Sequence, residues 1–279
     1  MASISFSALF IFVILEITLL WSIGSSQKIG FTSIDCGSDS VSVYTDNDNI
    51  EWLSDSNLMF EGTSVVLPDT GNGPVLRTMR LFNGSQSKYC YSLSNSAVKA
   101  GAFFFVRASI FPGINPPYMP KDPDGYFRFK LIIDADQWTD VKIAYGDDTL
   151  WTSDAYVRAK RSEIDVCFAR ITSDGDAPFI SALELRPLPN TLTSTLVMNE
   201  TNRFLVCLEH SSYGVPQSGP SYVRFPDDNL DRYWLSHKAS NSNLISTQKS
   251  INMSTNSSDQ NPEKILQSSF TGSQYLGLN

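Results

Sequence analysis

Histidine is nearly absent: the 279 residues include two, His210 and His237, both in the last third. A serine or cysteine nucleophile is usually activated by a positioned base, so any such chemistry would rest on that pair. There is no G-x-S-x-G elbow, H-E-x-x-H run, phosphate-binding loop or kinase signature. Cysteine is scarce too. Cys36, Cys90, Cys167 and Cys207 are widely spaced, with no C-x-x-C pair to hold zinc. Four cysteines allow three pairings, and the spacing selects none of them. Positive charge is the third shortage, with 21 Lys and Arg against 29 Asp and Glu, a formal net charge of −8. The longest basic stretch is Arg158-Ala159-Lys160-Arg161, so nucleic acid is excluded as a main partner.

Acidic residues do come in pairs: Asp147-Asp148, Asp174 with Asp176, and Asp227-Asp228. Two carboxylates could serve a glycosidase. Each pair sits where a turn is expected, however, and aspartate favours turns for structural reasons. Asp46-Asn47-Asp48-Asn49 alternates oxygen ligands but lacks the glycine and bidentate glutamate of a calcium loop. Asp122-Pro123-Asp124 is equally ambiguous, and both read as solvated loops. The expectation is a non-enzyme with no metal and no cofactor.

A long apolar run occurs once, at the start. Ala8 to Trp21 is almost wholly apolar and is followed by Ser22-Ile23-Gly24-Ser25-Ser26, as in a signal peptide over residues 1–26. The leading MASISFS has no basic residue and Glu16 interrupts the run, so an uncleaved anchor helix is the alternative. Asn83, Asn199, Asn252 and Asn256 each begin an N-x-Ser/Thr acceptor triplet. Together with the signal segment they point to a secreted glycoprotein, in a compartment where cysteines can pair.

Apolar residues elsewhere recur with period two, the spacing of strands rather than helices. In Tyr126 to Ile133, Phe127, Phe129, Leu131 and Ile133 should face inward. Ala102 to Ile110 is a largely apolar run broken by Arg107, as in a strand buried on both faces. Phe111 to Gly125 holds five prolines and cannot be a helix or an inner strand. Ile164 to Phe168 and Phe179 to Leu185 flank a turn-forming Ser173-Asp174-Gly175-Asp176-Ala177-Pro178, which reads as a hairpin closing a sheet. No convincing amphipathic helix is present. The expected fold class is all-β, an antiparallel β-sandwich of jelly-roll type.

Several strings carry a family resemblance: SIDCGS at Ser33 to Ser38, Tyr44, Asp46, Trp52 and Ser54-Asp55, LRTMRLFNGSQSKYCYSL, and VCFARITSDGDAPFISALELRPL. VRFPDDNLDRYW and PEKILQSSFT follow in the same order. These resemble the plant malectin-like extracellular domain found at the front of many leucine-rich-repeat receptor-like kinases. The chain departs from that pattern in Lys88-Tyr89, where Arg-Asn is usual, and in its proline-rich loop.

The resemblance implies two malectin-type sandwiches in tandem, with residues 27–190 as the first and 191–279 as the N-terminal part of a second. That second part includes the Ser/Asn-rich stretch Ala239 to Gln260, and it should be poorly ordered or cling to the first module. The implied function is extracellular recognition, of cell-wall carbohydrate or alternatively of a peptide or co-receptor without sugar affinity. The implied location is secreted or on the outer face of a plant plasma membrane, touching the membrane only through an uncleaved N-terminal segment or a receptor partner. Sugar binding needs aromatic faces and polar partners. The loop-placed candidates are Tyr118, Trp138, Trp151 and Tyr156, with Asp154 or Asp176 as polar partners. Arg224 and Arg232, set among Asp227, Asp228 and Asp231, are expected to form local ion pairs that fix a loop.

Overall fold

Short strands dominate the chain in a computed structural model that describes residues 27–39, 43–68, 71, 73–113, 116, 118–189, 204–214, 222–237, 243–251 and 261–271. The signal segment and three glycosylation acceptors, Asn199, Asn252 and Asn256, lie outside the described residues. The first strands are β1 (Thr32–Asp35), β2 (Tyr44–Thr45), β3 (Glu51–Ser54), β4 (Thr63–Val66), β5 (Thr78–Leu81) and β6 (Lys88–Leu93). Longer ones follow: β7 (Phe103–Ile110), β8 (Tyr126–Ile133), β9 (Asp136–Ala144), β10 (Trp151–Arg158) and β11 (Ile164–Arg170). Next come β12 (Phe179–Ile180), β13 (Ala182–Pro187), β14 (Phe204–Cys207), β15 (His210–Ser212), β16 (Tyr222–Val223) and β17 (Trp234–Ser236). The last are β18 (Asn243–Ser246), a one-turn helix α1 (Glu263–Leu266) and β19 (Ser268–Thr271).

Two layers enclose one main core. A seven-stranded sheet runs β14-β10-β7-β13-β1-β3-β2, and a four-stranded sheet runs β6-β11-β8-β9. Alternation explains how they stack: Phe104, Val106, Ala108 and Ile110 of β7 meet Phe127, Phe129, Leu131 and Ile133 of β8 in a single apolar cluster. A small β12-β5-β4 sheet closes one side of it. The all-β antiparallel sandwich read from the sequence is therefore present. The hairpin expected around residues 173–178 is not. β11 pairs with β6 and β8, whereas β13 pairs with β1 and β7, so the turn carries the chain from one layer to the other. Period-two patterning identifies strands but does not say which sheet each one joins.

The family strings have local physical reasons. In SIDCGS, Gly37 has φ +79°, and a Cβ there would come within 2.1 Å of the Met79 carbonyl oxygen, so only glycine fits. Asp55 is fully buried and holds three elements together. Its carboxylate accepts from Arg80 Nε at 2.9 Å and from Tyr91 Oη at 2.7 Å. One of the three possible cysteine pairings is realised. Cys90 and Cys167 face each other across β6 and β11 and are disulfide-bonded, while Cys36 is a buried free thiol and Cys207 a half-buried one.

Among the described residues beyond 203, β14 and the segment around Leu230 lie against the sandwich. β14 adds to the β10 edge of the large sheet, and Leu230 packs with Phe105 and Leu188 on that sheet's outer face. This explains why β7 is buried on both faces: its inner side meets the core, and its outer side is covered by residues more than 100 positions later.

A candidate recognition cleft on the outer face of the large sheet

The alternation that turns Val106 inward turns Arg107 outward, so the apparent interruption of an apolar strand is a designed position. Strand register sets Arg107 opposite both Asp154 of β10 and Glu184 of β13. Its guanidinium forks onto Asp154, with Nε donating to Oδ1 at 2.9 Å and Nη2 donating to Oδ2 at 3.1 Å. Arg186 Nη2 donates to Glu184 Oε2 at 2.5 Å and Arg186 Nε to Asp231 Oδ2 at 2.6 Å. Arg224 Nε donates to Asp231 Oδ1 at 2.8 Å, and Arg224 also pairs with Glu184. Three arginines and three carboxylates thus balance in a nearly dry layer. Burial opposes ionisation of Asp231, but Arg224 and Arg186 outweigh it and hold that carboxyl well below the usual range.

The RFPDDNLDRYW string forms the local ion pairs expected of it and, through Arg224–Glu184 and Asp231–Arg186, also ties itself to the large sheet. Asp228 accepts from Arg232 Nε at 2.7 Å, Trp234 Nε1 at 2.6 Å and Leu230 N at 2.9 Å. Asp227 differs, since it points away and pairs with Lys264 at 2.7 Å. Beside this lies a smaller cluster: Tyr156 Oη is 3.1 Å from His210 Nε2, and Cys207 Sγ is 3.5 Å from His210 Nδ1. Burial lowers the His210 pKa and pushes the Cys207 thiol up to about 11, so the pair is imidazole and thiol rather than an activated thiolate.

Next to this charged layer is a cleft of about 470 Å³, within the range typical of ligand pockets. Its floor is the outer face of the large sheet, including Arg107, Ser109, Thr152, Ala182 and Glu184. Its walls come from Asp46 to Asp48, from residues 73–76 and 148–150, and from Tyr222, Arg224 and Tyr233. Tyr222 and Tyr233 stack at 4.5 Å between ring centroids. Tyr222 Oη donates to Asp48 Oδ2 at 3.3 Å, bridging the two walls. Asp46 is locked by its own loop, accepting from Asp48 N, Ile50 N and Trp52 Nε1. Burial raises the Asp48 pKa, against the pull of Arg224.

None of the six aromatic and acidic candidates lines the cleft. Asp154 and Tyr156 share the outer face beside it, the first under Arg107 and the second under His210. Trp138 is buried in the main core, and Trp151 packs against that core from its edge. Tyr118 packs edge-on and tilted against Phe179 and Phe127 and donates to Met79 Sδ at 2.9 Å. Asp176 is buried and accepts from Lys121 N at 2.6 Å and Arg128 N at 2.8 Å, tying the proline-rich loop to β8. The residues missed were Asp48, Tyr222, Arg224 and Tyr233. Both strings that hold them stood out in the sequence, but nothing there shows that they meet.

The fold is a two-layer all-β sandwich that carries a charged, aromatic-walled cleft on the outer face of its large sheet. The malectin-like domain family model matches residues 34–276, and the chain belongs to that family. It is 33% identical over 264 residues to a "Probable LRR receptor-like serine/threonine-protein kinase" of Arabidopsis thaliana, covering 90% of this chain and 26% of that protein. A second leucine-rich repeat receptor-like serine/threonine-protein kinase of Arabidopsis thaliana is 27% identical over 234 residues, 81% of this chain and 25% of its own length. The chain thus spans about a quarter of the length of these relatives. Among solved structures, that of the plant peptide RALF23 in complex with FER and LLG2 superposes with a TM-score of 0.56 at 15% identity, over 81% of this chain and 60% of that one. The ANXUR1 extracellular domain from Arabidopsis thaliana gives 0.53 at 14% identity, over 78% and 60%. These establish a shared fold. No helix among the described residues is long and apolar enough to cross a membrane.

Proposed function

We propose that this chain is an extracellular recognition module, secreted or at the plant cell surface, that holds a peptide or co-receptor in the outer-face cleft and does not transform it. Residues 27–190 are read as a first malectin-like unit, with a second beginning at 191. The observation that carries this reading is the cleft itself, built jointly by the sandwich and by residues 222–233 and walled by stacked tyrosines and carboxylates. The FER structure, solved with the peptide RALF23 and with LLG2, supports a peptide or co-receptor over a glycan. Carbohydrate remains a second reading because Tyr222, Tyr233 and Asp48 combine ring faces with a hydroxyl-binding acid. The test uses the full secreted chain on an oligosaccharide array and in pull-downs from plant extracellular fluid, each with a Tyr222→Ala control. Capture of a peptide or co-receptor that the control loses supports the proposal. Glycan binding that the control loses replaces it with the carbohydrate reading.

A further inference from the structure

We propose that the cleft selects one basic side chain, lysine or arginine, from its peptide partner, an inference that rests on the recognition reading above. Two independent features of the lining carry it. The first is an excess of negative charge left over after internal pairing. Arg107, Arg224 and Glu184 line the cleft but are committed to Asp154, Asp231, Arg186 and one another. Asp46, Asp48 and Asp148 line it too, and none of the three forms an ion pair among the described residues. Arg224 is already held by Asp231 and Glu184 and forms no ion pair with Asp48 among the described residues. Tyr222 stands beside Asp48, stacked on Tyr233, whose ring already meets the Arg107 guanidinium at 5.4 Å; aromatic faces attract cations as carboxylates do, and the Tyr222 ring adds to the pull of Asp48.

The second feature is an unmet donor on the floor. Arg107 is 1% exposed, and its Nη1 has no hydrogen-bond acceptor; Glu184 Oε1 is 3.8 Å away. A buried donor without an acceptor is costly, and a ligand oxygen would relieve that cost. With Glu184 beside it, a neutral carbonyl suits the position better than a second carboxylate. The cleft therefore asks for a cation near Asp48 and a neutral acceptor near Arg107. A basic residue within a peptide offers both, through its side chain and its backbone carbonyl. A polyamine lacks the carbonyl, and a neutral sugar lacks the cation.

The experiment is calorimetric titration of the intact chain with capped tripeptides Gly-Arg-Gly, its citrulline isostere Gly-citrulline-Gly, and Gly-Glu-Gly, with spermidine and cellobiose as further probes. The expected result is that the arginine peptide binds at least tenfold more tightly than the citrulline and glutamate peptides and than spermidine. Asp48→Asn should abolish the arginine preference while leaving thermal unfolding close to that of the native chain. Asp148→Asn, at an exposed wall position, is a second variant expected to weaken the arginine peptide severalfold. Equal binding of arginine and citrulline peptides, or a preference surviving both substitutions, overturns the cation selectivity and leaves peptide recognition standing. Equal binding of spermidine overturns the carbonyl contact. Cellobiose binding in place of every peptide, or no binding of any probe, overturns the underlying reading as well.

Discussion

Tyr222 and Asp48 lie 174 positions apart and meet at 3.3 Å across the cleft, the phenol donating to the carboxylate. The contact links the loop after β2 to the docked segment around β16, so the cleft exists only while that segment stays on the sheet. What holds it there is the ion network beneath, and the first prediction concerns that network.

Asp231 is fully buried between Arg186 and Arg224. Replacing it with alanine leaves Arg186 and Arg224 to share the single carboxylate of Glu184 in a dry layer, which costs about 3–5 kcal/mol. Urea unfolding of Asp231→Ala should show a loss of that size, together with a changed Trp234 emission as residues 222–234 loosen. A loss below about 1 kcal/mol would mean that the network is not what docks the segment.

Asp35 gives the stability a pH dependence. Burial raises its pKa to about 6 despite hydrogen bonds from Thr78 and Tyr44, with Asp55 adding to the rise. The folded state therefore prefers the protonated carboxyl, and its stabilising effect is complete below the unfolded pKa and lost as pH rises through 6. His210 opposes this trend, because burial lowers its pKa and acid must charge it in place. The comparison of the native chain with Asp35→Asn isolates the carboxyl. Relative to the variant, the native chain should gain up to about 3 kcal/mol between pH 7 and pH 4, read by denaturation at each pH. A parallel pair of curves would remove Asp35 as the cause.

The cysteines predict a thiol pattern. The Cys90–Cys167 bridge spans 77 positions, and constraining an unfolded loop of that length is worth about 4 kcal/mol, so reduction should lower the melting temperature by several degrees. In the folded chain Cys207 should alkylate slowly, held as a thiol by burial, and Cys36 not at all. Mass spectrometry after iodoacetamide treatment should show one added group before unfolding and two after it. Two added groups in the folded state would contradict the burial of Cys36.

Asn83 sits exposed in the turn between β5 and β6, its side-chain carbonyl accepting from Thr63 Oγ1 at 3.2 Å. Expressed through a secretory pathway, the chain should carry a glycan there. Enzymatic deglycosylation should convert Asn83 to aspartate in the peptide map, and an unmodified Asn83 peptide would refute the assignment.

The sequence made β8 and β6 legible because each has a wetter side and a dry side, so period two survives in them. It also showed Gly37, Asp55 and the RFPDDNLDRYW string as fixed points. It could not show the layer crossing between β11 and β13, because both runs are buried and apolar whichever sheet they join. The cleft was hidden for a related reason. Arg107 reads as a flaw in an apolar strand until its outer-face neighbours Asp154 and Glu184 are known. Helix α1 is four residues long, too short to leave a helical period.

That hidden geometry separates the aromatic residues by role, and substitution can read the separation. Trp138 is 5% exposed in the main core, so Trp138→Ala should remove about 3–5 kcal/mol of stability and leave partner affinity unchanged in the fraction that still folds. Tyr222 lies partly exposed on a cleft wall, and its hydroxyl donates to Asp48. Tyr222→Ala should cost little stability, about 1 kcal/mol, yet weaken a captured partner at least tenfold, since an interface concentrates its energy in a few aromatic residues. The measurements are thermal unfolding and surface-immobilised binding of each variant. If Trp138→Ala instead abolished binding at full stability while Tyr222→Ala bound normally, recognition would belong to the β9 side of the sandwich and not to the outer-face cleft.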